Sequence, residues 1–207
     1  MDKKQLFLDL DGCILNFDNA YLPVLSSSGI DISKLDFSTW ELLKGEEYSR
    51  DKVYKLVVKA WESKAFEELP LLHGAEEFLN WAIDFYKIVY ITTVPEPYHK
   101  KRTNNLNSLG ILEGIHADIH FAKSHRDKAR IVKSYNNGVA FVDDKPKNVS
   151  AVKEDVPNII AIWYNHNGKM KIYNHTPKPD HEIHEWKKVK NLLKSNGKWS
   201  QENHNSK

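Results

Sequence analysis

The sequence predicts an α/β fold, a parallel sheet core with a small helical cap inserted after its first strand. Two observations predict it: five short apolar runs alternate with helix-period segments, and one connection between consecutive runs is far longer than the others. Strand and helix in alternation argue for a parallel sheet covered on both faces. The 207 residues, 41% hydrophobic and 11% aromatic, suit one compact unit carrying an insertion.

The apolar runs are residues 6–10, 88–92, 119–122, 139–142 and 159–164, rich in Ile, Val, Phe and Tyr and too short for typical helices. Between and beside them, residues 73–85, 98–109, 126–135 and 146–154 have helical spacing. About 70 residues separate the first strand from the second, and residues 19–68 look helical themselves, with Val53, Leu56, Val57, Ala60 and Trp61 on one stripe. The expected division is therefore a core of residues 1–16 and 73–195, a cap of 17–72 and a disordered tail of 196–207. After Tyr164 the chain turns polar, and the "HEIHE" stretch reads as the start of a docking helix over 183–193. His181 and His184 are three apart, which is not the spacing of a helical metal pair.

Thirty basic and 28 acidic residues leave a formal charge of +2, so no global field selects a nucleic acid polymer or an anionic membrane. An anionic substrate must be caught locally. Cys13 has no cysteine partner, and nothing nearby marks it as an activated thiolate. No signal-peptide pattern and no apolar run of roughly 20 residues occurs. The expectation is a soluble, cytoplasmic protein with no membrane contact, and the "NVS" sequon at Asn148 lacks the secretory context to matter.

In an open parallel sheet, ligands sit beyond the carboxyl ends of the strands. The first strand delivers Asp9 and Asp11, two carboxylates on one face of an extended chain; the second ends in Thr92 and Thr93; the fourth ends in Asp143 and Asp144. Arg126 and Lys128 lie just before the helix that precedes the fourth strand. Asp9 with Asp143 could bind a hard cation through oxygen, with waters completing the shell as Mg²⁺ prefers. Lys128 and a threonine could hold a phosphate, one carboxylate could attack it, and a second could move the proton.

These residues carry a resemblance. "DLDGCILNFD", the strand "KIVYITT", Lys128 and "FVDDKPKN" resemble, in order, the four motifs of the haloacid dehalogenase superfamily, which implies a Rossmann-like, haloacid dehalogenase-like core. The resemblance implies Asp9 as nucleophile and metal ligand, Asp11 as acid/base with its backbone carbonyl on the metal, Lys128 on phosphate, Asp143 on the metal, and Asp144 outside the ligands as an orienting partner. "AWESKAFEELPLLHGAEEFL", "ITTVP", "RDK" and "DDKP" are similar, more narrowly, to the 5'(3')-deoxyribonucleotidases. That family implies an Mg²⁺-dependent phosphomonoesterase that acts on nucleoside (deoxy)monophosphates through an aspartyl-phosphate. Its relatives are often dimers, so a homodimer is implied too. Phe17, Trp40 and Trp61 match positions lining the family's base pocket, and Arg126 matches a substrate-side arginine; Trp61 also fits core packing with Val57 and Ala60.

The second motif departs from the narrower family. Val94 stands where a serine is usual, so Thr92, Thr93 and the Val94 amide are the expected phosphate contacts, with Thr93 preferred, and Pro97 stands where a lysine is usual. A sugar phosphate or other small phosphate ester is the alternative substrate. A non-catalytic binding domain is the third reading, disfavoured because both aspartates of the chemistry are present.

Overall fold

The computed structural model describes residues 3–38, 43, 48–112, 117–168, 170–171 and 173–196; Trp40 and most of the expected tail lie outside them. Six strands form one parallel sheet: β1 (Lys4–Leu8), β2 (Tyr86–Thr92), β3 (Ala117–Phe121), β4 (Gly138–Asp143), β5 (Ile160–Tyr164) and β6 (His181–Ile183). Their order is β3-β2-β1-β4-β5-β6, with all neighbours parallel. The chain winds outward from β1 through β2 to β3, then returns to β1's other side and winds outward again. This reversal beside β1 opens a crevice at the carboxyl ends of β1 and β4, the place where such sheets bind ligands.

Alternation of side chains along β1 builds the two layers. Leu6 and Leu8 join a core with Phe78, Leu79, Ala82, Trp186 and Val189, from α4 (Ala75–Phe85) and α8 (Trp186–Ser195). Phe7, between them, faces the opposite core with Ala129, Val132, Val149 and Val152, from α6 (His125–Lys133) and α7 (Pro146–Asp155). Leu6, Phe7 and Leu8 have no solvent exposure, as expected for a central parallel strand. Helix α5 (His99–Ser108) follows β2 and contributes Leu106 to the first core.

The insertion after β1 is helical: α1 (Asp18–Ser27), a single 3₁₀ turn at Ile32–Lys34, α2 (Arg50–Glu62) and α3 (Lys64–Glu67). Ser49 Oγ caps α2 by accepting from the Lys52 amide at 3.3 Å, and Ser63 Oγ caps α3 by accepting from Phe66 at 3.3 Å. The two connections to the sheet run side by side. The Asn16 amide donates to the Pro70 carbonyl at 2.9 Å, the Leu72 amide donates to Ile14 at 2.8 Å, and Leu15 bridges Leu71.

Two expectations are corrected. β1 ends at Leu8 rather than Leu10, which places Asp9 just past the strand end. His181–Ile183 is a sixth strand, paired to β5, and α8 begins only at Trp186. A three-residue edge strand with two polar residues has too little apolar alternation to be visible, whereas the helical stripe after it is strong and pulls the reading forward. Among the described residues, no helix is long and apolar enough to cross a membrane.

Candidate active site

Asp9 is anchored by its own backbone: its amide donates to the Val142 carbonyl of β4 at 2.9 Å, and the residue is 5% exposed. Lys128 and Asp143 have no exposure at all. The Lys128 ammonium bonds the Asp9 carboxylate and donates to Asp143 Oδ2 at 2.7 Å. Asp143 is further held by the Lys145 amide, 2.8 Å from Oδ1, and by Asn148 Nδ2, 2.9 and 3.0 Å from Oδ1 and Oδ2.

The start of α6 explains how a lysine reaches this depth. Ser124 Oγ accepts from the Asp127 amide at 3.2 Å while Asp127 Oδ2 accepts from Lys123 at 2.8 Å, a pair of contacts that fixes the helix entry. Lys128 then lies on the buried stripe with Ala129 and Val132. Arg126, two residues earlier, is carried to the outside. Its guanidinium is 53% exposed and forms a surface ion pair with Glu154 at 2.8 Å and Asp155 at 3.6 Å on α7.

Asp144 joins the carboxylate group: oxygens of Asp9, Asp143 and Asp144 all lie within 4.8 Å of one another. Gly12, at φ +84°, makes room, because a Cβ there would come within 2.5 Å of Asp144 Oδ2. Asp144 Oδ1 is buried without a hydrogen-bond partner among the described residues. Three clustered carboxylates with one oxygen left unpaired fit a hard divalent cation, which would satisfy that oxygen.

Burial dominates the electrostatics. It pushes the Asp9 carboxyl up to about 7, against the pull of Lys128 and with the help of Asp143. It raises Asp144 well above the usual carboxylate range, with Asp9 and Asp143 adding to the effect. For Lys128, burial works downward, but Asp143 and Asp9 outweigh it and hold the ammonium above its ordinary value. Burial and the neighbouring carboxylates raise the Cys13 thiol, so it stays protonated and packs as a small core residue.

Asp11 points elsewhere. Its Oδ1 is bonded by Nη2 of Arg102, a residue of α5 with no solvent exposure. Arg102 Nη1 donates to Asn105 Oδ1 at 2.7 Å, and the guanidinium lies 4.1 Å from the centre of the Phe66 ring. Burial pulls the Arg102 pKa down while Asp11 and Asp9 oppose it. Sequence reasoning missed Arg102 and Asn148. Arg102 sits in "HKKRTNNLNS", which reads as a solvated helix; the apolar Leu106 four residues on was the available sign of a buried face.

A cavity of about 930 Å³ joins these groups to the insertion. Asp9, Asp11, Thr92, Thr93, Val94 and Asp144 line its sheet end. The Thr92 hydroxyl is occupied, accepting from the Val94 amide at 3.4 Å, while the Thr93 hydroxyl makes no hydrogen bond among the described residues. Phe17, Tyr21, Tyr48, Tyr54, Val57 and Trp61 form much of the other wall. Phe17 stacks on Tyr21 with centroids 5.8 Å apart, and Trp61 stands between Tyr54 at 6.2 Å and Tyr98 at 5.6 Å. The core adds a wall of its own that sequence reasoning did not find: Tyr164 at the end of β5, and Asn165, His166 and Met170 after it. Asn165 shapes that loop, accepting from the Met170 amide at 2.9 Å and donating to the Met170 carbonyl at 2.6 Å.

Comparison with solved structures identifies the fold. A predicted phosphatase from Clostridium acetobutylicum superposes with a TM-score of 0.66 at 13% identity, covering 94% of this chain and 100% of its own. A haloacid dehalogenase-like family hydrolase from Streptococcus pneumoniae gives 0.61 at 16% identity, with 92% and 98% covered. A Bacillus subtilis protein assigned to the same hydrolases, solved bound to magnesium, gives 0.61 at 14% identity, with 94% and 100% covered. The chain therefore has the haloacid dehalogenase-like fold, with its helical insertion after the first strand. No protein-family model and no curated protein matches it.

Proposed function

We propose that this chain is an Mg²⁺-dependent phosphomonoesterase whose substrates are nucleoside monophosphates, preferably deoxy, held between the core and a cap of residues 17–72. The observation that carries the reading is the buried group of Asp9, Asp143, Asp144 and Lys128 at the sheet's switch point, opening into a cavity walled by aromatic rings. The magnesium named with the Bacillus subtilis neighbour agrees with the cation. Asp9, Asp143, Asp144 and the Asp11 carbonyl would hold it, and when bound it would neutralise charge on the carboxylates and the phosphate.

The chain's own residues account for the rest. Lys128 and the free Thr93 hydroxyl bind phosphate oxygens and orient the phosphorus. A carboxylate oxygen of Asp9 attacks phosphorus, the bond to the ester oxygen breaks, and the Asp11 carboxyl gives its proton to the departing alkoxide. Asp11 then takes a proton from water, whose oxygen attacks the phosphorus; the bond to Asp9 breaks, and inorganic phosphate leaves with Asp9 restored. Phe17, Trp61 and their aromatic neighbours offer flat faces to a base.

A second reading is favoured by Val94, buried and with its amide turned to Thr92, where the nucleotidase pattern has a hydroxyl. It keeps the chemistry and makes the substrate a sugar phosphate or other small ester. Initial rates on a panel of nucleoside monophosphates, sugar phosphates and p-nitrophenyl phosphate, with and without Mg²⁺, test both. Highest kcat/KM on nucleotides supports the first; highest on sugar phosphates supports the second; no Mg²⁺-dependent phosphate release from any ester overturns both.

A further inference from the structure

A fully buried guanidinium is costly unless its surroundings satisfy it, and a well-packed apolar residue often serves stability as well or better. Arg102 is fully buried, and its Nε is left without a partner among the described residues. Its two terminal nitrogens are spent on particular targets, Asp11 Oδ1 and Asn105 Oδ1. Asn105 in turn donates from Nδ2 to the Leu69 carbonyl at 3.1 Å, and Phe66 lies under the guanidinium plane. Leu69 and Phe66 belong to the segment by which the chain returns from the insertion to the sheet, next to the bonds that tie residues 70–72 to 14–16. One carboxylate oxygen of Asp11 is thereby tied to α5 and the return segment. The other, Oδ2, makes no hydrogen bond among the described residues, and Asp11 lines the cavity.

We propose that Arg102 is a positioning residue for Asp11: its guanidinium fork fixes Oδ1 against the return segment of the insertion and so aims Oδ2 at the ester oxygen and the attacking water. The inference rests on the phosphatase reading above. Removing the fork leaves Asp11 free to turn about its side-chain torsions, so the proton transfers fail while phosphate and substrate contacts stay in place. The loss belongs in kcat rather than KM.

The test is a double-mutant cycle with Arg102→Met, Arg102→Lys and Asp11→Asn on the full chain with Mg²⁺, using p-nitrophenyl phosphate. Steady-state rates are combined with acid-quenched phosphoenzyme levels, and circular dichroism confirms folding. Arg102→Met is expected to lower kcat about 10–100-fold with KM within about twofold, and to raise the steady-state phosphoenzyme, as a defect in general acid/base catalysis does. Arg102→Lys keeps the charge but loses the fork, so it should show a smaller loss of the same kind and remains decisive if the methionine variant does not fold. In the Asp11→Asn background neither substitution should lower the rate further. Wild-type kcat in both Arg102 variants overturns the inference, as does an undiminished further loss on top of Asp11→Asn. If the wild-type chain releases no phosphate from the ester, the phosphatase reading fails and this inference falls with it; normal wild-type turnover isolates Arg102 as the point of failure.

Discussion

At the sheet end of the cavity, the Asp143 carboxylate alone receives bonds from the Lys128 ammonium, the Lys145 amide and the Asn148 side chain. At the insertion end, Phe17, Tyr21, Tyr54 and Trp61 meet their neighbours through ring faces and edges. Directional bonds fix single atoms, which the proposed chemistry at phosphorus would require. Ring contacts fix a surface and tolerate variation in what lies on it, which suits selection of a substrate body. The same cavity thus separates a demanding end from a permissive one. Substitutions at the two ends should divide accordingly between kcat and KM.

The largest effect should come from Asp9→Asn. Under the proposed mechanism it removes the charge of the attacking oxygen while preserving shape and the backbone bond to Val142, so phosphate release should fall at least ~10³-fold with the melting temperature kept or raised. Substantial activity in a folded Asp9→Asn chain would break the nucleophile assignment. Next is Lys128→Met. Losing the ammonium should lower kcat by about 10²–10³-fold. It also leaves Asp9 and Asp143 without their shared buried counter-charge, and breaking such a group costs ~3 kcal/mol or more in the metal-free protein. Urea unfolding with EDTA present measures that cost. A kcat loss without destabilisation would mean the lysine sits elsewhere in the free protein.

The demanding end was also the legible end. Asp9 and Asp143 are residue types that a buried strand end carries only for a reason, so their places after apolar runs exposed them, while Lys128 was found at the helix that precedes the fourth strand. Asp144 was named as an orienting partner, and its closeness to the other two carboxylates was not legible, because the room made for it by the missing Gly12 Cβ is a fact of close packing rather than of spacing. Arg102 was missed for a related reason: apart from the sign at Leu106, its burial depends on Phe66, which only the folded chain brings beside it. The sheet itself was read through five strands, and the sixth was lost where three residues gave too short a pattern. The wall of Asn165, His166 and Met170 is set by loop geometry, which leaves no periodicity to read.

Acidity gives a third way to test the contrast. Asp9 rises from 3.8 to about 7 and Asp144 rises as well, both chiefly through burial. A carboxyl whose folded pKa lies above its unfolded value binds its proton better in the native state. Its contribution to stability is therefore complete below about pH 4 and is lost as pH rises through about 7. The metal-free protein should lose melting temperature across that window. Mg²⁺ should offset the loss at the upper end, and Asp144→Asn should flatten the profile. A melting temperature that rises from pH 4 to 7 in EDTA would break the assignment of burial as the ruling effect.

At the permissive end, Trp61→Ala should raise KM for nucleoside monophosphates about tenfold, the equivalent of one lost stacking contact, and leave KM for p-nitrophenyl phosphate within about twofold. Trp61 also packs on Tyr98, so a fall in stability with equal effects on both esters would assign the ring to holding the insertion on the core.

The smallest effect belongs to Arg126→Ala, and it decides how far sequence position can be carried into the site. The nucleotidase resemblance puts Arg126 beside the substrate, whereas its guanidinium lies outside the cavity on Glu154 and Asp155. An exposed pair of this kind contributes up to about 1 kcal/mol, so stability should barely change. With no contact to the cavity, kcat/KM for every ester should stay within about twofold. A fall of about tenfold or more confined to nucleotides would mean that α6 presents Arg126 to the bound substrate, and that Lys128, two residues along the same helix turn, changes partners with it.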